Sequence, residues 1–251
     1  MPDNISEILL EVGKTLGETA FMCSIALVIA IVAGGALGIL LYASSTHLFI
    51  NSPLLNKVLG ATVNVVRSIP FLILLIFLLP LSALVVGTKI GTEAVVIPLA
   101  VAAVAFFARL SEASLAEVDK GMIEAAFTSG AGKLRTMFCI VLPEAHVPLV
   151  KDITITAISL LGFSAMAGLV GGGGLGDLAY RYGYQRYNMG IMIACIAVLV
   201  VLGSDHPGSR RLVRQPHRAE TLVRASIARR AAGARTERGR GARCARPRSR
   251  F

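Results

Sequence analysis

Two glycine-bearing stretches carry residue types that handle phosphate in other chains. Gly130-Ala131-Gly132-Lys133-Leu134 resembles part of a phosphate-binding loop, where backbone N–H groups and a lysine surround the anion. That loop needs a glycine at position 127 and a hydroxyl after the lysine. The chain has Phe127 and Leu134, so it does not bind ATP by that route. Gly171, Gly173 and Gly176 match GxGxxG, but they follow an apolar stretch of helical length and no βαβ unit surrounds them. They are expected to form a hinge instead. His47, His146, His206 and His217 are scattered, and Cys23, Cys139, Cys195 and Cys244 form no CxxC pair. No catalytic residue, metal site, disulfide or cofactor bound by this chain is expected.

The stretch 124–143, EAAFTSGAGKLRTMFCIVLP, has a mechanical chemistry instead. Asp119 can cap a helix by accepting from its first free N–H groups, which places a helix over 120–129. Ile123 and Phe127 share one face of it, with Met122 and Ala126 beside them. Gly130 suits the left-handed residue that ends a helix. A second short helix is expected over 133–140, closed by Pro143. Ala125 and Ala126 are small enough to let a partner approach closely. Periodicity alone fits equally a plain hairpin that joins two apolar segments.

The surrounding chain explains why such a unit stands apart. Of 251 residues, 55% are hydrophobic and 16% charged, with a mean hydropathy of +0.70; a soluble domain carries about a quarter charged residues. Five apolar segments approach the roughly twenty residues that cross a bilayer: 20–43, 58–86 with Pro70 and Pro80 as kinks, 94–108, 153–172 and a short 188–203. The fold class is therefore all-α, a polytopic membrane protein with about five transmembrane helices. The N-terminal stretch lacks the basic and short apolar regions of a cleavable signal, so the first span is expected to stay as an anchor. With the N-terminus outside, Lys57, Arg67, Arg109, Lys120, Lys133, Arg135 and Lys151 face the cytoplasm, against Lys14, Lys89, Arg181 and Arg186 outside. The loop 119–143 then lies in the cytoplasm. Gly34 with Gly38, and Ser164 with Gly168, form small-xxx-small pairs that suit close helix contacts. Apart from Arg67 near a span entrance, no ionisable residue is expected at mid-depth, which argues against an ion-coupled carrier.

The net charge of +10 does not signal nucleic acid. Residues 205–251 hold fourteen arginines, no lysine and three acidic residues, a net +11, so the preceding 204 residues sum to −1. An arginine-only tail rich in Ala, Gly, Ser and Pro, following an abruptly ended span, reads as a disordered product of a frameshift near Gly203. The domain division is thus a permease-like domain over 1–204 and a tail over 205–251.

Glu124-Ala125-Ala126, three residues, Gly130, nine residues, then Ile140-x-Leu142-Pro143 resembles the EAA loop of ATP-binding-cassette (ABC) importer permeases at each defining position. NVVRSIPFLILL (64–75), GFSAMAGLVGGGGLGDLAYRYGY (162–184) and the five-span plan are similar to the methionine-importer permeases, over roughly residues 15–202. The resemblance implies a MetI-like permease fold in the bacterial inner membrane, surrounded by lipid. It implies a homodimer, two ATPase subunits carrying ATP and Mg on the cytoplasmic side, and a substrate-binding lipoprotein outside. It gives Glu124, Ala125, Ala126, Gly130, Ile140, Leu142 and Pro143 the coupling to the ATPase. It also places Met166, with Ser164, along the translocation path. Gly132 stands where the family often has a Ser or Thr cap. The rival readings are a permease for another amino acid or small organic solute, and an ATP-independent channel or scaffold. Sequencing the 3′ end of the gene, with peptide mapping of the product, tests the tail: a shifted frame and no peptides from 210–250 are expected, and an unbroken frame with such peptides refutes the idea.

Overall fold

The computed structural model describes residues 5–46, 49, 52–88 and 90–204; the tail over 205–251 and its frameshift reading lie outside the described residues. The described secondary structure is helical. Helix α1 (Ile5–Ile29) runs through a π-helical turn (Ala30–Gly34) into α2 (Gly35–Ser45). There follow α3 (Pro53–Ser68), α4 (Phe71–Val86), α5 (Thr92–Ala116), α6 (Lys120–Thr128), α7 (Lys133–Thr136), a π turn (Met137–Val141) and α8 (Leu142–Glu144). The series ends with α9 (His146–Gly168), α10 (Gly174–Leu178), a π turn (Ala179–Tyr184) and α11 (Met189–Ser204).

Helix α5 is the central post. Its Val95, Leu99, Ala100, Ala103 and Phe107 pack with Met22, Ala26 and Ala30 of the first span, Phe71 and Leu75 of α4, and Leu160 and Ala167 of α9. A second row joins α5 to Leu41 of α2 and Val63 of α3 through Ala105 and Ala108. Close approach explains the glycine pair. A Cβ on Gly38 would lie 2.8 Å from both the Ala108 carbonyl oxygen and Ser111 Cβ, and one on Gly34 would lie 2.9 Å from the Val104 carbonyl oxygen. The pair therefore serves a contact within the chain.

Three helical stretches, Leu10–Ser45, Thr92–Ala116 and His146–Gly168, are long and apolar enough to cross a membrane. The stretch expected as one span over 58–86 is instead two helices bent by 106°. Proline chemistry gives the reason. Pro70 pushes Ile69 out of the helical region, to φ −79° and ψ 126°, so α3 stops there. Pro80, the second expected kink of that segment, stays inside α4. The span expected over 94–108 continues past Arg109 to Ala116, because Arg109 pairs with Glu112 at 2.6 Å on the same helix. The span expected over 153–172 begins earlier and ends at Gly168. Asp152, expected just outside that span, consequently lies inside α9, buried, where it accepts from Ser114 Oγ at 2.5 Å. Helix α11 has 16 described residues, about 24 Å of rise, short of a 30 Å core.

The glycine-rich segment is no free hinge. Gly171, Gly173 and Gly174 take positive φ, and the segment is pinned: Gly174 N donates to Glu18 Oε2 and Leu175 N to Thr19 Oγ1, both at 2.9 Å. Gly168 meets the backbone of Gly176 and Asp177 with no room for a side chain. The packing predicts a matched pair of outcomes. Gly38→Ala should lower the thermal unfolding midpoint of the detergent-solubilised protein, at a cost of about 1–3 kcal/mol for overpacking. Gly60→Ala, which meets nothing within 4 Å, should leave that midpoint unchanged or slightly raised.

Candidate functional site

The local chemistry of 119–143 builds a rigid projecting unit. Asp119 is the N-cap expected: its Oδ1 accepts from Gly121 N at 2.8 Å. At the other end Gly130 has φ +83°. Its N–H donates to the Phe127 carbonyl at 3.0 Å, while Ala131 N donates to the Ala126 carbonyl at 3.0 Å. These paired bonds are a Schellman motif, which satisfies carbonyls the helix end would otherwise leave free. Helix α6 is therefore fixed at both ends, though it has only nine residues.

Beneath it lies a cluster of its own. Ile123 of α6 packs with Tyr42 and Ala43 of α2, Leu115 at the end of α5, Val118, and Met137, Val141 and Ala145 from the following segment. Phe127 meets Phe49 edge-on, with ring centroids 5.6 Å apart, and Phe49 meets Tyr42 at 6.0 Å. Lys133 Nζ donates to the Phe49 carbonyl at 2.7 Å. Nothing in the sequence singles out Phe49, Tyr42 or Lys133 as parts of this site. Their roles depend on contacts between segments far apart along the chain, which no local pattern reports.

The seven coupling positions separate into distinct environments. Glu124 and Ala125 are exposed on the outer face of α6, and Ala126 is buried toward the cluster. The expectation that both alanines admit a partner is thus corrected: a turn of about 100° per residue puts only Ala125 outward. Ala125, Ala126 and Ile140 come together in a hollow of about 420 Å³, with Met122, Ser129 and Ala131 completing it. Glu124, Gly130, Leu142 and Pro143 do not line it.

The second short helix expected over 133–140 breaks up. Only 133–136 is regular α-helix, and the chain continues through the π turn into α8. Pro143 does not close the unit either. It sits in the first turn of α8, where its missing N–H costs nothing, and its carbonyl accepts from His146 Nδ1 at 2.6 Å. The pause falls at Ala145, with ψ near 1°. Gly132 caps α7 without a side-chain bond. Leu142 packs partly against the cluster.

Met166 and Ser164 lie on different sides of α9. Met166 is 47% exposed, whereas Ser164 is 2% exposed and its hydroxyl donates to the Leu161 carbonyl at 2.8 Å. They are not brought to one surface within this chain. Among the described residues no His, Cys, Asp and Glu group could hold a metal.

A helical membrane assembly with a capped helix held off its inner cluster is the architecture of a transport permease. The chain belongs to the family of inner membrane components of binding-protein-dependent transport systems, whose pattern matches residues 34–204. It is 43% identical over 185 residues to a probable D-methionine transport system permease protein of Vibrio cholerae, covering 74% of this chain and 82% of that protein. A counterpart in Pasteurella multocida is 42% identical, covering 82% of this chain and 96% of its own length. The fold matches a chain of the MetNI methionine ABC transporter in an inward-facing conformation, with a TM-score of 0.78 and 39% identity, over 82% of this chain and 96% of that one.

Both ends of α6 are open to test. Gly130→Ala forces a side chain into a left-handed backbone, at a cost of about 1–2 kcal/mol. Asp119→Ala removes the cap, at about 1 kcal/mol. Amide hydrogen exchange over 119–131 should accelerate in each variant, and Asp119→Asn, which still caps, should restore much of the protection.

Proposed function

We propose that the chain is the transmembrane permease subunit of an ABC importer that moves methionine, in both D and L forms, across the bacterial cytoplasmic membrane. The observation that carries this reading is α6: a helix fixed by Asp119 and by the Gly130 motif, with Glu124 and Ala125 turned outward and Ile123 locked inward. In this reading two ATPase subunits, which carry the ATP and Mg, grip that outer face from the cytoplasm. A second copy of the permease completes the pathway. A substrate-binding lipoprotein delivers methionine on the outer side, where the N-terminus lies, and lipid surrounds the spans. The chain itself is a non-catalytic transport subunit.

The transmission follows from the packing. Force on α6 enters the cluster that holds Ile123, Leu115 of α5 and Tyr42 of α2. Since α5 packs against each neighbouring span, displacement of its end rocks the assembly and does not bend one loop. Coupling of this kind is a free energy shared by two sites that bias the same two-state element. Glu124, Ala125 and the Ile140 hollow form the grip. Gly130 holds the turn, and Ala126, Leu142 and Pro143 hold the helix against the body. Met166, exposed on α9, narrows the path toward the second copy, and Ser164 fixes the orientation of α9 from its buried side. The names of the relatives support methionine as the substrate.

Uptake of labelled methionine in a strain lacking its own importer tests the proposal. Glu124→Arg should lower ATP-dependent uptake at least about tenfold, equivalent to about 1.4 kcal/mol on the barrier, with membrane insertion and permease abundance unchanged. Unimpaired uptake in that variant overturns the coupling role. Failure of the unaltered chain to move methionine, together with transport of another amino acid, overturns the substrate.

A further inference from the structure

A groove of about 560 Å³ runs along the flank of the spans, between the first span, α5, the π turn after α7 and α9. Ile31, Gly35, Ile39, Phe107, Phe138 and Leu142 are among the residues that line it. Its size falls within the range of small-molecule sites. Among its lining residues Ser111 is the one with a polar side chain. Ser111 is 1% exposed, and among the described residues its Oγ is the one buried side-chain polar atom without a hydrogen-bond partner. Other helical hydroxyls in this chain, those of Thr15, Ser44 and Thr156 for example, donate to a carbonyl three or four residues back. A buried hydroxyl without a partner costs about 1–3 kcal/mol, so this one calls for an acceptor from outside the chain.

Position narrows the choice of acceptor. The groove opens on helices long and apolar enough to cross a membrane, where the surrounding medium is lipid. Ser111 lies five residues before the end of α5, about 7.5 Å of rise, and the ion pair Arg109–Glu112 flanks it. That is the depth of the polar–apolar boundary, where phospholipid ester carbonyls sit. From Ile39 back to Ile31 the groove wall rises about 12 Å, most of one hydrocarbon leaflet. We propose that the groove binds one acyl chain of a membrane phospholipid, whose glycerol-ester carbonyl accepts a hydrogen bond from Ser111 Oγ. The lipid then packs between the spans and Phe138 and Leu142 of the coupling segment. It becomes a fitted part of the joint between them.

The test uses the full permease–ATPase complex in phosphatidylethanolamine–phosphatidylglycerol vesicles doped with a phospholipid bearing a photoreactive diazirine on one acyl chain. Labelling is read by peptide mapping and needs no transport, so its outcome is separate from that of the importer reading. Label on 31–40 and 138–142 should exceed that on Phe77 and Leu84, exposed apolar residues of α4, several-fold. Ala36→Phe, which fills the groove, should abolish the excess. Ser111→Ala should reduce it about fivefold, the worth of one hydrogen bond, in a complex that still co-purifies with its ATPase. Equal labelling of groove and α4, or undiminished label in both variants, overturns the proposal. So does efficient disulfide formation between two permease copies carrying Leu40→Cys, because the groove would then be closed by a second copy. If Ala36→Phe does not assemble, the Ser111→Ala comparison decides alone.

Discussion

In hydrocarbon, apolar side chains gain little by turning from lipid to one another, so helices must associate by fitting closely. Here the fit is the contact of Gly34 and Gly38 with the backbone of α5 at Val104 and Ala108. Dispersion forces fall off steeply with distance. An approach close enough to bring backbone near backbone therefore yields what a larger side chain would forfeit. With that contact made, α5 becomes the surface on which α1, α3, α4 and α9 are arranged.

The same helix carries the consequence of the contact to the polar end of the molecule. Leu115 closes the cluster under α6 only a turn beyond Ser111, and Tyr42 and Ala43 of α2 meet it there. The unit over 119–143 is thus seated on the ends of the two helices that the glycine contact joins. A rigid projection on a rigid post transmits displacement, whereas a loop with frayed ends would absorb it. The cap at Asp119 and the paired bonds at Gly130 prevent that fraying.

Elsewhere the chain departs from straight helices where chemistry forces it. The bend at Pro70 divides one apolar segment in two. The segment after α9 turns sharply, yet its N–H groups are held by Glu18 and Thr19 of the first span, 156 residues away. Glycine there gives tight packing, as at Gly168 against Gly176, and not mobility. Asp152 inside α9 is tolerated because Ser114 of α5 donates to it, consistent with the rule that buried charge needs a partner.

Much of this is legible in the amino-acid sequence. The apolar segments, the cap at Asp119, the turn at Gly130 and the outward place of Glu124 follow from chain-local rules: helix period, N–H capping and the steric freedom of one glycine. Three outcomes required tertiary structure. Pro70 and Pro80 look alike in sequence, but only the first ends a helix. Ala125 and Ala126 are chemically identical, and the cluster under α6 decides that one faces water and the other is buried. Phe49, Lys133 and Ser111 carry no motif at all, since their roles come from neighbours distant along the chain. Sequence by itself determined which stretches are helical and which residues can end them, because those preferences act over four or five residues. Only the folded packing decided which side chains meet, because that depends on how closely two backbones can approach.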